Sequence, residues 1–301
     1  PPGFVATTGA FAAVLGALDP AGSLRDGEPP AALRARIAAA PLPGPVAAAI
    51  TRAYAALGPD ANVAVRSSAT MEDSATASFA GLQDTYLGIA GAESVLDRVR
   101  RCWASLYNEE AVAYRRRIGL PEQGLAMAVV VQRMVWPRAA GVMFTRSPVT
   151  GDRSVIAIEG TWGLGSALVA GDVTPDSFMI SKITGEITSR RVSPKARLHS
   201  LLPNEPGVSV RDTPADLRDR PCLSDSEIQA LASAAGRVEA CYGVPQDIEW
   251  AILDSGAPPA DRIVLLQSRP ETVWAARDPA PVAAPKPRPA DHVLALFGKP
   301  L

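Results

Sequence analysis

The spacing of apolar residues changes along the chain and predicts a helical part followed by a strand-rich part. Residues 31–57 form two alanine-rich stretches separated by prolines within 41–45, which predicts two helices. Residues 92–118 carry apolar side chains at helical spacing, with arginine and glutamate on the other side. From Leu125 onwards the apolar runs are short and are separated by turn residues, which is typical of β-strands.

The strand-rich part also contains one helix. Short strands are predicted on either side of the turn KITGE at residues 182–186, whereas the polar, proline-rich residues 203–221 predict a surface excursion. Ser224 and Glu227 have the spacing of a capping box, and the helix that they begin is expected to end near Gly243. These features predict a β-rich lobe that includes a helix.

The pattern as a whole predicts an α/β protein with two lobes and a tail. Residues 1–124 form the first lobe, and residues 125–276 form the second, β-rich lobe. Residues 277–301 form a tail whose proline and alanine content predicts an extended, semi-rigid linker. A chain of 301 residues is long enough for about two domains or one large domain of two lobes. The first residue is Pro rather than Met, and we expect further residues upstream.

Charge and composition narrow the classes of partner. The chain has 30 Lys and Arg and 31 Asp and Glu, and no block of like charge favours nucleic acid or an anionic membrane. The longest apolar run, LAMAVVV, is too short to span a bilayer, and no signal peptide is recognisable. Cys102, Cys222 and Cys241 lie far apart, without metal-ligand spacing, which predicts buried structural thiols in a reducing cytosol. We therefore expect a cytoplasmic protein that binds neither nucleic acid nor membrane.

The segment VAVRSSATMEDSATASFAG, residues 63–81, joins a buried strand to a polar loop. Arg66 stands at the end of the strand, and several small hydroxyl residues follow it. An arginine offers a planar, permanently charged fork for an oxyanion, and a loop of small residues can close over such a group. The segment therefore predicts an oxyanion site. An ion pair of Arg66 with Glu72 or Asp73 is the structural alternative.

A second group of polar residues interrupts two apolar runs, DIEWAIL and RIVLLQSR. Alternation places Asp247 and Glu249 on one face of the first strand. In the second strand it places Gln267 and Arg269 on one face and Leu266 on the opposite face. The eight-residue connection permits an antiparallel hairpin. Oxygen ligands from Glu249 and Gln267 suit Mg²⁺, and Arg269 suits a phosphate; a surface hairpin with a Glu–Arg ion pair is the alternative.

With these residues in view, the chain resembles the ATP-binding region of phosphoenolpyruvate synthases, pyruvate phosphate dikinases and rifampicin phosphotransferases. Four segments carry the resemblance in the same order and spacing: VAVRSSATMEDSATASFAGLQDTYL, VVQRMVWPRAAGVMFTRSPVTGD, EGTWGLGSALVAGDVTPD, and PQDIEWAI with LLQSRPET. The resemblance runs from residue 1 to about residue 273. It implies an ATP-grasp-like fold, in which two lobes enclose a nucleotide cleft.

The resemblance implies how the phosphates of ATP would be held. Arg66 matches an arginine that contacts ATP phosphates, and SFAGLQDTYL matches the loop that folds over them. In that loop Gly81 leaves backbone amides free for the phosphates, and Thr85 offers a hydroxyl. Both residues are therefore expected to contact the nucleotide.

The resemblance also implies the metal site. Glu249 and Gln267 match metal ligands for Mg²⁺, and Arg269 matches a second phosphate arginine. Arg66 and Arg269 would therefore be the catalytic residues. Asp247 is either a further residue of the metal site or a plain ion-pair residue.

The adenine base is expected on the strand VVQRMV. In the family this strand offers its backbone to the base, which implies contacts near Gln132 and Met134, with Val135 beside them. An ordinary core strand is the alternative. The segment WGLGSALVAGDVTPD should border the cleft, where it either contacts ATP or only shapes a turn.

Two features depart from the family pattern. A glycine–lysine motif, whose lysine meets the ATP phosphates, normally precedes PPGFVATT, the point at which this sequence starts. Either that lysine lies upstream or the protein lacks it. The phosphate-carrying histidine of the family belongs to a separate swivelling domain, and neither His199 nor His292 lies in such a motif. Both histidines are expected at the surface or in packing.

The resemblance thus implies an ATP-binding phosphotransferase domain or subunit. It would use Mg-ATP to phosphorylate a histidine on a partner domain or subunit, with AMP as the product. Such phosphoryl transfer needs positioning and charge neutralisation rather than a protein nucleophile. A nucleotide-sensing regulatory subunit without turnover is an alternative, and a carboxylate–amine ligase of the wider ATP-grasp group is another.

Overall fold

A computed structural model describes the fold of residues 1–19, 28–69, 73–74, 77–78, 84–119, 125–202 and 205–274. Within these residues the protein is a mixed α/β structure whose two main sheets have four and six strands. The predicted tail, residues 277–301, lies outside the described residues. None of the described helices is long and apolar enough to cross a membrane.

Along the described part of the chain, the strands of the first sheet are interspersed with five helices, and the strands of the second sheet come after them. The helices are α1 Thr8–Leu18, α2 Pro30–Ala39, α3 Gly44–Ala55, α4 Ala92–Ser105, α5 Glu109–Arg117, α6 Ser166–Val169, α7 Ala215–Arg218, α8 Asp225–Tyr242 and α9 Pro259–Arg262. The strands are β1 Gly3–Ala6, β2 Val63–Ala69, β3 Asp73–Ser74, β4 Ala77–Ser78, β5 Thr85–Ile89, β6 Met127–Arg133, β7 Pro137–Phe144, β8 Val155–Trp162, β9 Asp176–Ser181, β10 Ile187–Arg191, β11 Arg197–Leu202, β12 Glu205–Asp212, β13 Gln246–Leu253 and β14 Ile263–Pro270.

The first sheet has the strand order β1-β6-β2-β5 and packs one of its faces against helices α1 to α4. Alternation along the strands makes this possible: Val63 and Val65 of β2 are buried in the core with Val129 and Val131 of β6. The apolar side chains that were predicted at helical spacing in residues 92–118 pack against these valines in the same core. The two alanine-rich helices predicted on either side of the prolines are α2 and α3.

The second sheet has the order β10-β9-β8-β7-β13-β14 and packs against α8. The predicted capping box is confirmed, because the Ser224 hydroxyl accepts from the Glu227 N–H and the Glu227 carboxylate accepts from the Ser224 N–H. The helix ends at Gly243, whose φ of 72° is the left-handed conformation that glycine adopts without strain. The predicted end of this helix is therefore confirmed as well.

Two predicted regions contain more elements than their patterns indicated. Residues 92–118 form two helices, α4 and α5, and Arg115 of α5 donates to the Leu106 carbonyl just after α4 (2.7 Å). The predicted surface excursion, residues 203–221, contains strand β12, which pairs with β11. Proline and glycine at the start of β12 hid its alternation, and Gly207 lies against Gly88 of β5 in the first sheet.

Strand β6 belongs to the first sheet, so the boundary between the two sheets lies later in the chain than the predicted boundary between the lobes. The sequence division at residue 125 placed this strand in the second lobe, but it hydrogen-bonds between β1 and β2 in the first sheet. Its alternate valines complete the core of that sheet, so the strand is held there by burial as well as by hydrogen bonds. The chain passes from one sheet to the other at residues 134–136.

The cysteine prediction holds for two of the three thiols. Cys102 and Cys222 are buried, and burial raises the pKa of both thiols, which keeps them protonated and unreactive. Cys241 is exposed, contrary to the prediction, because it lies on the outer side of the last turn of α8.

A fully buried ion pair ties three segments of the second part together. Lys195 Nζ donates to Asp176 Oδ1 (2.6 Å) and to the Ser193 carbonyl (2.8 Å). The Asp176 carboxylate also accepts from the backbone N–H groups of Ser193 (3.0 Å) and Cys222 (2.8 Å). Both charged side chains have an exposed fraction of 0%, so each depends on the other for its solvation.

Replacing Lys195 by Met should therefore be strongly destabilising. Lys195→Met leaves the Asp176 carboxylate buried without a cation, and we expect the free energy of unfolding to fall by about 3–5 kcal/mol. Denaturant titration measures this change. Arg36→Met is the matched control, because its partner Glu28 belongs to an exposed pair and its loss should cost within about 1 kcal/mol. Equal unfolding midpoints for the two variants would contradict the structural role of the buried pair.

Candidate functional site

A cavity of about 350 Å³ lies between the two main sheets, on the faces turned away from their cores. Alternation is clear along β2, where Ala64 and Arg66 line the cavity and Val63 and Val65 are buried in the core. The first sheet and the chain leaving it contribute Ala64, Arg66, Thr85, Leu87, Gln132, Arg133, Met134 and Val135. The second sheet and its connections contribute Pro137, Ala140, Gly141, Val142, Leu164, Gly165, Ser166, Val169, Ala170, Glu249, Trp250, Ala251, Leu266 and Gln267.

The Arg66 side chain spans the cavity from one sheet to the other. Arg66 Nη1 donates to Gln267 Oε1 (3.0 Å), and Nη2 donates to Glu249 Oε2 (3.1 Å). The third nitrogen, Nε, is buried and has no hydrogen-bond partner among the described residues. Among the described residues, the ionic partner of Arg66 is Glu249. Glu72, one of the two predicted alternative partners, lies outside the described residues.

The predicted β13–β14 hairpin is confirmed and places the two Arg66 acceptors side by side. Glu249 and Gln267 are register partners across the two strands. A β-bulge follows this pair, because Trp250 is opposite Leu265 and Leu266 is the extra residue. Leu266 and Gln267 both line the cavity at this bulge.

The oxygens of Glu249 and Gln267 fit a divalent cation of the magnesium type. Both oxygens lie within reach of one guanidinium, and a carboxylate with an amide carbonyl is a hard oxygen set. No group of three or more His, Cys, Asp or Glu gathers for a metal within the described ranges. Magnesium does not need such a cage, since it keeps waters and takes phosphate oxygens. A cation bound here would compete with Arg66 for the two oxygens.

Of the predicted site residues that the structure describes, Arg269 lies outside the cavity lining. Its Nε and Nη2 both donate to Asp247 Oδ2, at 2.8 and 2.6 Å, and the two residues are register partners. Burial raises the pKa of the Asp247 carboxyl, although the hydrogen bonds and charge of Arg269 act to lower it. Of the roles left open for Asp247, the structure shows the ion pair.

The residues predicted for adenine lie where the chain crosses between the sheets. Gln132, Met134 and Val135 all line the cavity, and Gln132 is on the face of β6 opposite its core valines. The Met134 N–H donates to the Asn62 carbonyl (2.8 Å), so this amide is engaged within the protein. The other predicted contact residues divide: Thr85 lines the cavity, whereas Gly81 lies outside the described residues.

The segment WGLGSALVAGD both lines the cavity and makes a tight turn. Gly163 has a φ of 71°, and a Cβ on it would lie 2.3 Å from the His199 carbonyl oxygen. The Leu164 N–H donates to that same oxygen (2.8 Å). Leu164, Gly165 and Ser166 then face the cavity. The segment therefore borders the cleft as predicted, with its turn held against β11.

Sequence reasoning missed a hydrogen-bonded group beside this turn. His199, expected only at the surface or in packing, is buried, and its ring nitrogens contact Ser166 Oγ and Asp172 Oδ2, each at 3.0 Å. The available signal was alternation in RLHSLL, which places His199 on the same face as the buried Leu201. The second histidine, His292, lies outside the described residues.

Comparison with known proteins agrees with the resemblance of the motifs. Residues 1–288 match the family model described as pyruvate phosphate dikinase, AMP/ATP-binding domain. The chain is 44% identical over 288 residues to a rifampicin phosphotransferase of Streptomyces sp., a match that covers 90% of this chain and 32% of that protein. It is 48% identical over 214 residues to a probable phosphoenolpyruvate synthase of Methanothermobacter thermautotrophicus, covering 71% of this chain and 30% of that protein.

A third relative is named for a different activity. The chain is 42% identical over 275 residues to a prodigiosin synthesizing transferase of Serratia marcescens, covering 91% of this chain and 30% of that protein. The chain thus spans about a third of the length of these relatives. On the family match and these identities, the chain belongs to the pyruvate phosphate dikinase AMP/ATP-binding domain family.

Proposed function

We propose that the cavity between the sheets is an ATP site of the ATP-grasp type and that this chain is the phosphoryl-donating part of a dikinase-type phosphotransferase. The observation that carries the proposal is the convergence of Arg66, Glu249 and Gln267 on one cavity. A guanidinium and two hard oxygens are the groups that a phosphate chain with its magnesium ion requires. The family description as an AMP/ATP-binding domain supports the same ligand.

The rest of the cavity suits a nucleoside. Met134, Val135, Leu164 and Val169 offer apolar surface, and pockets for small molecules combine such surface with few polar groups. We propose that adenine lies beside Gln132, Met134 and Val135, as the resemblance implies. The phosphates would then extend towards Arg66 and the β13–β14 hairpin.

The residues of this chain would act by charge neutralisation and positioning. Arg66 would move its hydrogen bonds from Glu249 and Gln267 to phosphate oxygens, where a planar fork binds strongly. Glu249 and Gln267 would hold Mg²⁺, which neutralises phosphate charge when it is bound. Thr85 and Gly81 would complete the phosphate contacts. Arg269 would be the second phosphate arginine, and to reach the nucleotide its guanidinium would have to leave Asp247.

We propose that the acceptor is a histidine of a swivelling domain or subunit outside this sequence. In the transfer the bond between the α- and β-phosphates breaks, AMP leaves, and the β-phosphate ends on the histidine, while the γ-phosphate passes to water or another acceptor. The relatives named as phosphoenolpyruvate synthase and rifampicin phosphotransferase support a phosphoryl transfer. Their greater length leaves room for such an acceptor domain in those proteins.

Binding of Mg-ATP should raise the melting temperature of the protein. A ligand at a concentration about 100 times its Kd stabilises the native state by about 2.7 kcal/mol, which corresponds to several degrees. Differential scanning fluorimetry with Mg-ATP, Mg²⁺ alone and ATP with EDTA measures the effect. A melting temperature with Mg-ATP no higher than with Mg²⁺ alone would count against the nucleotide site.

Loss of the metal ligands should weaken nucleotide binding without unfolding the protein. Glu249→Gln and Gln267→Ala each remove an oxygen ligand, so both should abolish the dependence of ATP affinity on Mg²⁺ in isothermal titration calorimetry. Glu186→Gln and Gln229→Ala make the same chemical changes at exposed positions outside the cavity and should bind like wild type. Unchanged magnesium dependence in Glu249→Gln and Gln267→Ala would show that the hairpin oxygens are only structural.

The product distinguishes the proposed transfer from an ordinary kinase reaction. With a cognate histidine-domain protein, ATP labelled at the β-phosphate should give AMP and an acid-labile labelled phosphohistidine. Arg66→Ala should slow this transfer about 10²–10³-fold, because it removes a donor at a site of developing charge, and Arg66→Lys should restore part of the rate. Arg269→Ala tests the second arginine in the same assay. Transfer of γ-label to the partner with ADP as the co-product would refute the dikinase reaction.

A further inference from the structure

Ser166, His199 and Asp172 form a chain of hydrogen bonds that ends in the cavity. Ser166 lines the cavity, and its Oγ lies 3.0 Å from His199 Nδ1. On the far side of the imidazole, His199 Nε2 lies 3.0 Å from Asp172 Oδ2. His199 is 7% exposed and Asp172 reaches solvent, so the chain leads from the surface to the cavity wall.

The chemistry of the three groups decides which atoms donate. An ionised carboxylate only accepts, so His199 Nε2 must carry the proton that it shares with Asp172. In the tautomer that carries its proton on Nε2, Nδ1 is an acceptor, and the Ser166 hydroxyl donates its only proton to it. The lone pairs of Ser166 Oγ then remain for the cavity. In this arrangement Ser166 presents an acceptor, not a donor, to whatever occupies the space beside it.

The backbone that precedes Ser166 is tied to the backbone of His199. The Leu164 N–H donates to the His199 carbonyl (2.8 Å), and Gly163 packs on the same oxygen at a position where a Cβ would clash. Both ends of the Ser166–His199 contact are thus fixed to each other by main chain as well as by side chains. A group held in this way costs little conformational entropy when it binds a ligand.

We propose that Ser166 is a specificity-determining residue that accepts a hydrogen bond from a donor group of the bound nucleoside, with His199 and Asp172 as its positioning residues. This inference rests on the proposed ATP site. The donor is an N–H or O–H group, which in ATP means the exocyclic amino group of the base or a ribose hydroxyl. Phosphate oxygens are excluded as partners, because they are acceptors like Ser166 Oγ itself.

The neighbours of Ser166 support a nucleoside rather than a phosphate. Leu164, Val169 and Ala170 surround it in the cavity wall, whereas the charged lining residues Arg66 and Glu249 belong to strands β2 and β13. A single fixed acceptor in an apolar wall rejects ligands that lack the matching donor, because its hydrogen bond is then lost.

Three analogues that each lack one donor test the proposal. Isothermal titration calorimetry with Mg²⁺ gives the Kd of ATP, 2′-deoxy-ATP, 3′-deoxy-ATP and purine riboside triphosphate, which lacks the exocyclic amino group. For wild type we expect one analogue to bind about 2- to 10-fold more weakly than ATP, the range of one neutral hydrogen bond. In Ser166→Ala the ratio of that Kd to the Kd of ATP should fall to about 1, while the other ratios stay unchanged.

Variants of His199 separate positioning from packing. His199→Leu removes the acceptor for the serine proton and should reduce the same ratio, whereas His199→Asn keeps an oxygen near the Nδ1 position and should retain most of it. Ser189→Ala, at an exposed position on the edge strand β10, is the matched control and should behave as wild type. Circular dichroism confirms that each variant is folded before titration.

The outcomes distinguish this inference from the function on which it rests. Equal affinity of wild type for ATP and all three analogues would overturn the inference while the ATP site stands. A discrimination that persists unchanged in Ser166→Ala would overturn it as well. Failure of wild type to bind ATP at all would overturn the proposed function, and the inference with it.

Discussion

The period of two along a β-strand is the constraint on which this structure depends. Each strand of the two main sheets can bury only one of its faces against the helices of its own core. The other faces of β2, β5 and β6 in the first sheet and of β7, β13 and β14 in the second border the cavity. Val63 and Val65 are buried in the core of the first sheet, whereas Ala64 and Arg66 on the same strand line the cavity. Strand β2 therefore contributes one face to the core and the other face to the candidate site.

Charge across the cavity complements this geometry. Arg66 leaves one sheet and hydrogen-bonds to Glu249 and Gln267 on the other, so the two halves share a polar contact at the place proposed for the phosphates. A partly buried guanidinium whose Nε has no partner among the described residues is not a large source of stability. In the proposed function it exchanges its present partners for a ligand of higher negative charge.

The tight turn at Gly163 links the second sheet to the cavity in a different way. It brings a glycine-rich segment against the carbonyl of His199, and the same histidine holds the hydroxyl of Ser166. The buried pair of Lys195 and Asp176 anchors the neighbouring segments of this region. Rigid backbone and satisfied polar groups beside a cavity are what orientation of a small ligand requires.

The sequence by itself determined the local structure and the identity of the motifs. Helix spacing, the capping box at Ser224 and the β13–β14 hairpin follow from near neighbours in the chain, so they were predictable. The motifs also carried enough information to show the family. The sequence pattern did not predict that Arg115 of α5 donates to the Leu106 carbonyl at the end of α4, because this contact depends on how the two helices pack.

Only the tertiary structure decided which distant residues meet. The pairing of β6 with the first sheet, the bulge at Leu266 and the Asp247–Arg269 ion pair all depend on strand register. The contact of His199 with Ser166 joins residues 33 positions apart in the chain. Local patterns specify which face of an element is apolar, but long-range packing selects the partner of that face. That is why the sequence predicted the candidate residues, and the fold determined which of them share one cavity.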